Sequence, residues 1–287
     1  MKLRCVLLAA VLALLLAGCW AKGPVETASV PPETPATAEE SAPPETPEPS
    51  LDPLEELLAQ YPIDDTRDAF LVPTGGTLGT LLVTAEKGEQ DRDTELGGYH
   101  TTLSVWNPRD MDKPIQTMDK SIEGWAFGSH EVVDANFDGY MDFSCMYFMG
   151  NQPNYWYLWI WDEETGQFVE VPEYAGISSP RINPETQIID GFARNSGAGD
   201  GVTTFHRWED GKLVCIRRIE TWWEATDMVI PETEGTVFLY GIKVEDRIDG
   251  ELTQVYYKEF PPGEDFFDEQ AKWERLDYHG ENEAYLK

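Results

Sequence analysis

Histidine, cysteine and basic residues are scarce in this chain, and each scarcity closes off a class of function. The four histidines, His100, His130, His206 and His279, stand scattered among 287 residues, with no HExxH pair to hold a catalytic zinc. No GxSxG elbow presents a serine, and none of the four cysteines sits in a nucleophile setting. Lys and Arg number 21 against 53 Asp and Glu, a formal charge of −32. A nucleic-acid backbone would be repelled by that field, so nucleic acid is excluded as a partner. Anionic lipid is disfavoured as well, except through a covalent anchor. Long apolar runs are also missing. The one near the N-terminus, residues 6–17, is shorter than the roughly 20 residues of a membrane-spanning helix.

That run has another reading. Lys2 and Arg4 precede it and Leu16-Ala17-Gly18-Cys19 follows directly, so residues 1–18 read as a signal peptide. The final four resemble the lipobox of bacterial lipoproteins, where the cysteine, here Cys19, is acylated and becomes the mature N-terminus. The resemblance implies an extracytoplasmic protein anchored to a bacterial membrane by lipid. Loss of Lys2 and Arg4 takes the charge from −32 to −34. Such a field speeds the approach of a basic protein, although solubility alone also accounts for acidity. Residues 19–50 continue in Pro, Glu, Thr, Ala and Ser and cannot bury a core. They form a stiff spacer, reaching on the order of 90 Å if fully extended. Residues 51–287 are read as a single β domain.

Within that domain, residues 134–142 read DANFDGYMD. Asp134, Asn136, Asp138 and Asp142 occupy positions 1, 3, 5 and 9 of a loop, and Tyr140 at position 7 supplies a backbone carbonyl. Calcium is a hard cation that takes six to eight oxygens, and this phasing wraps one. Gly139 stands at the sharp turn, where freedom in φ is needed. Position 12, where an EF-hand has a bidentate Glu, is Cys145. The flanks, Glu131-Val132-Val133 and the apolar run from Phe143 to Phe148, are β-branched and aromatic rather than helical. The candidate is therefore a strand-loop-strand calcium site, resembling those of integrin-type propeller repeats. The alternative is an acidic turn without an ion, because Asp, Asn and Gly are also ordinary turn residues.

Around this loop the sequence predicts short strands. A short helix opens the domain, with Asp52 as cap, Pro53 in its first turn and Leu54, Leu57 and Leu58 facing inward. Strands follow at residues 78–84, 101–106 and 115–118, the last two joined across Asn107-Pro108-Arg109-Asp110. Residues 155–161, YWYLWIW, are apolar on both alternating faces and predict a strand buried between sheets. They could stack sugar rings only if one face were open. The chain turns at Glu163-Glu164-Thr165-Gly166 and returns through residues 167–169. Hairpins recur at residues 203–216, around Asp210-Gly211, and 237–257, around Asp249-Gly250. Their spacing approaches that of a four-stranded propeller blade. The expected class is all-β, a propeller-like arrangement of antiparallel hairpins with a short N-terminal helix, the alternative being a β-sandwich. Residues 265–276 read as a helical tail, although Phe266, Phe267 and Trp273 also suit a strand. Residues 195–201 look like a second ion loop, but their ligand phasing is poor and they read as a rim loop. Cys145 and Cys215 are expected as free thiols, with a disulfide as the alternative.

The ordered set DANFDGYMD, WDEETGQFVEV, Ser178-Ser179-Pro180-Arg181-Ile182 and FHRWEDGKLVCIRRIE is similar to a family of bacterial surface lipoproteins. That family has a propeller-like β fold and one bound calcium. Its type member is an immunity protein that inhibits a lysozyme-like effector delivered by a type IV secretion system. The likeness covers roughly residues 100–260 and implies a non-enzymatic protein that binds a cell-wall hydrolase or secreted effector. Two other classes stand beside it. A wall-glycan binding module would show an open patch of Trp, and a carboxylate-dependent hydrolase would show two cleft carboxylates about 5 to 9 Å apart.

Overall fold

Short β-branched and aromatic runs punctuated by turn residues fill the chain after residue 66, and the computed structural model folds them into fourteen strands among the described residues. Those residues are 53–92, 97–150, 153–195, 199–226 and 237–280. The expected signal peptide (1–18), the expected acylation site Cys19, the expected spacer (19–50) and the expected cap Asp52 lie outside the described residues. Residues 50–287 form one compact unit.

The strands make three antiparallel sheets, each a meander in sequence order. The first holds β1 (Arg67–Pro73), β2 (Thr80–Gln90), β3 (Tyr99–Trp106) and β4 (Gln116–Ile122). The second holds β5 (His130–Val133), β6 (Asp142–Met149), β7 (Asn154–Asp162) and β8 (Gln167–Glu170). The third is longer: β9 (Arg181–Asn183), β10 (Ile188–Arg194), β11 (Gly201–Glu209), β12 (Lys212–Thr226), β13 (Val237–Ile248) and β14 (Glu251–Phe260). Two short helices accompany them, α1 (Pro53–Leu58) and α2 (Phe266–Trp273), the latter capped by Asp265, whose carboxylate accepts from the Asp268 N–H. The expected all-β class is met. The expected four-strand period is not kept throughout, because the two C-terminal hairpins join β9 and β10 in a single six-stranded sheet.

Burial explains the layering. Val72, Leu81, Val83, Leu103 and Val105 of the first sheet pack against Phe143, Trp159, Trp161 and Phe168 of the second. The opposite face of the second sheet, with Met146, Trp156 and Leu158, meets Ile189 and Leu213 of the third and the 3-10 turn Pro172–Gly176 through Tyr174. Strand β7 thus feeds both cores, as its doubly apolar sequence predicts, and its three tryptophans are at most 9% exposed. Each large side chain fully buried in this way contributes about 1.5–3 kcal/mol. On the third sheet, Ile219, Ile242, Val244 and Phe260 cover Phe266 and Trp273 of α2. Among the described residues, no helix is long and apolar enough to cross a membrane.

Candidate functional site

Strand β5 ends at Val133 and β6 begins at Asp142, so residues 134–141 must reverse the chain in a tight loop. Two left-handed residues achieve this, Phe137 at φ 63° and Gly139 at φ 94°. A Cβ on Gly139 would meet nothing within 4 Å, so its backbone angle, rather than space, sets the need for glycine there. Aspartate side chains hold the turn. Asp134 accepts from the Asp138 N–H at 3.1 Å and the Gly139 N–H at 2.9 Å. Asp138 accepts from the Tyr140 N–H and from Asn136 Nδ2, both at 2.8 Å.

Asp142 has a different environment. It is fully buried, and its two oxygens accept from the Ala135 N–H and, across the sheet, the Trp161 N–H, each at 2.8 Å. Burial pushes its carboxyl up to about 7 against the pull of those two amides, and the neighbouring charges of Asp138 and Asp134 push the same way.

The structure thus brings four of the five predicted ligands, Asp134, Asn136, Asp138 and Asp142, into one hydrogen-bonded turn, with Tyr140 bound into it through its N–H. Among the described residues, no three His, Cys, Asp or Glu side chains converge as a ready cation cage. The chemistry of the donor set still suits a hard cation: three carboxylates, an amide and a carbonyl in one loop, with Asp134 and Asp138 close enough to raise the proton affinity of Asp142. Asp134, Asn136, Asp138 and Asp142 would hold calcium by side-chain oxygens and Tyr140 by its carbonyl. An ion there would neutralise local repulsion.

The loop is also where the three sheets meet. Met141 N–H donates to Thr74 O in the β1–β2 turn at 3.0 Å. Trp161 of β7 is tied through Asp142, and Trp208 of β11 donates from Nε1 to Ala135 O at 2.8 Å. Sequence reading locates the loop but not this convergence, which depends on partners far along the chain.

A second feature escapes the sequence reading. Between β4 and β5, Trp125 is 81% exposed, although its loop is tightly fastened. The Ala126 and Phe127 N–H groups donate to Glu123 O, and Ser129 N–H donates to Ala126 O. Glu123 N–H donates to Tyr147 O, while Glu123 Oε2 accepts from the Met149 N–H. Ala126, the next residue, is wholly buried, and Met149 beside the loop is 43% exposed. The available signal was a lone Trp in a short glycine-bounded connection, Gly124 to Gly128.

Other expectations fall out as follows. Cys145 and Cys215 are both free thiols, the first buried. Burial raises both above the ordinary thiol range, so neither is primed as a nucleophile. Asn195 Nδ2 donates to Asp200 Oδ1 at 3.0 Å across the rim loop, whose residues 196–198 lie outside the described set.

The site therefore defines an all-β protein whose three sheets converge on an acidic loop. No family model matches the chain. No curated protein matches it either. A solved structure, that of a Xanthomonas type IV secretion system related protein, is similar at 14% identity and a TM-score of 0.41, covering 66% of this chain and 93% of that one.

Proposed function

We propose that this protein is a non-enzymatic, lipid-anchored extracytoplasmic binding module. Calcium in the 134–142 loop fastens its sheets, and the Trp125 loop grips a protein partner. The reading rests on one observation: a tryptophan 81% exposed on a loop fixed by hydrogen bonds on both sides. A large aromatic presented in solvent on a fixed backbone spares the loop's ordering entropy when it enters a pocket, and tryptophan is enriched among binding hot spots. Met149 adds exposed apolar surface beside the loop, and the −34 charge of the processed chain steers basic partners. A peptidoglycan hydrolase, bound and inhibited, is the partner implied by the resemblance to the surface lipoprotein family. The two four-stranded meanders suit blades of a propeller-like arrangement. Burial of the β7 tryptophans weakens the wall-glycan reading, which needs them open.

The test is capture from the organism's envelope extract by immobilised full-length protein, comparing wild type with Trp125→Ala. The reading predicts a peptidoglycan hydrolase retained by the wild type and at least about tenfold less by the variant, since a hot-spot truncation costs about 2 kcal/mol or more, with unchanged melting. Equal retention by both would contradict it.

A further inference from the structure

We propose that the third sheet carries a separate binding site for a small organic carboxylate with a short apolar body. A cavity of about 640 Å³, within the range that holds small ligands, opens where the β11–β12 and β13–β14 turns meet the chain after α2. In a molecule with 53 acidic residues and only 21 basic ones, three arginines line it against two carboxylates.

The cavity is built around a buried ion pair. Arg217 is 2% exposed and Asp246 5% exposed. Arg217 donates to both Asp246 oxygens at 2.6 Å. Its remaining donors reach the carbonyls of Trp273, Arg275 and Tyr278 at 2.9–3.0 Å. All five of its N–H groups are thus committed, and they fix the segment that places Leu276 in the cavity wall.

Two arginines nearer the mouth are not neutralised in this way. Arg207 Nη2 donates to Glu209 Oε1 at 2.5 Å, while Arg247 Nε lies 3.9 Å from Glu209 Oε2. Among the described residues, one carboxylate therefore serves two guanidiniums, and the second contact is too long for a hydrogen bond. Arg247 is only 31% exposed, so its charge is partly desolvated. A ligand carboxylate placed between the two guanidiniums would supply the missing negative charge in the fork geometry that arginine favours. Ile188, Ile216 and Leu276 offer an apolar surface for the rest of the molecule. Because side chains alternate along β11, Arg207 and Glu209 face away from Trp208, which bonds the acidic loop. The site is thereby distinct from the 134–142 loop.

Isothermal titration of the full-length protein at low salt tests this, with hexanoate as probe and hexanamide and inorganic phosphate as controls. Saturable hexanoate binding is expected, with hexanamide and phosphate each at least about tenfold weaker, since charge-assisted bonds and apolar contact are both required. Arg247→Gln and the more exposed Arg207→Gln should each weaken hexanoate by about tenfold, and Glu209→Gln, which removes the competing carboxylate, should tighten it. The proposal is overturned if hexanoate fails to saturate, if either control binds equally well, or if neither arginine substitution changes the affinity of a protein that melts normally.

Discussion

His206 shows how a single side chain carries information that its sequence position conceals. It sits in β11 opposite Ile189 of β10 and Cys215 of β12, and its buried Nδ1 has no hydrogen-bond partner. Burial lowers its proton affinity below the ordinary histidine value. The unfolded chain, with an ordinary value near 6.5, therefore takes up a proton as pH falls below that point while the folded chain resists. Stability contributed by this residue is complete above about pH 6.5 and declines below it, at no more than about 1.4 kcal/mol per pH unit. Urea denaturation at pH 7.5 and 5.5 should show a smaller acid loss for His206→Leu than for wild type, and equal losses would refute the assignment. At this scale the sequence revealed Asp134, Asn136, Asp138 and Asp142 because their spacing is local. The exposure of Trp125 and the burial of Arg217 were not legible, since each depends on contacts made by distant strands.

Elements were legible where turn chemistry marked their ends. Asp210-Gly211 and Asp249-Gly250 both adopt positive φ, from 49° to 89°, as two-residue hairpin turns require. Strand β10 was missed because Asp190-Gly191 interrupts its apolar run. The glycine is demanded by packing: a Cβ there would lie 2.4 Å from Ile177 Cγ2 and 2.9 Å from Ser178 O, where the chain crosses the strand. Strand β1 was also missed, although Asp64, which accepts from the Thr66 N–H at 2.8 Å, marks the turn before its short apolar run. The aromatic run of β7 was read correctly as core. Trp159, 1% exposed, stacks on Phe143 with ring centroids 4.9 Å apart. Trp159→Ala should therefore cost about 3–5 kcal/mol in chemical denaturation. A loss below about 1 kcal/mol would mean that the ring is open enough for the glycan reading.

For the whole molecule, two proposals concern how the domain is held, one to a membrane and one to itself. Acylation of Cys19 predicts that Cys19→Ala releases the protein from the membrane fraction, because the 19–50 sequence has almost no large apolar residue with which to remain. Retention of the variant in detergent-sensitive form would count against the anchor. Within the domain, the 134–142 loop bonds Thr74 of the first sheet, Trp161 of the second and Trp208 of the third, so an ion bound there would stabilise contacts between sheets as well as a turn. Sequence spacing suggested the ion, while the three-sheet convergence required the fold. Thermal unfolding of the full-length protein in millimolar calcium, in magnesium and in chelator tests this most directly. Calcium at ten times its dissociation constant adds about 1.4 kcal/mol, or about 3–6 °C for a domain of this size. Magnesium, which demands a tighter octahedral shell, should do much less, and Asp138→Ala should lose most of the calcium response while remaining folded. The same melting temperature in chelator and in millimolar calcium would reduce the loop to a hydrogen-bonded turn and contradict the account.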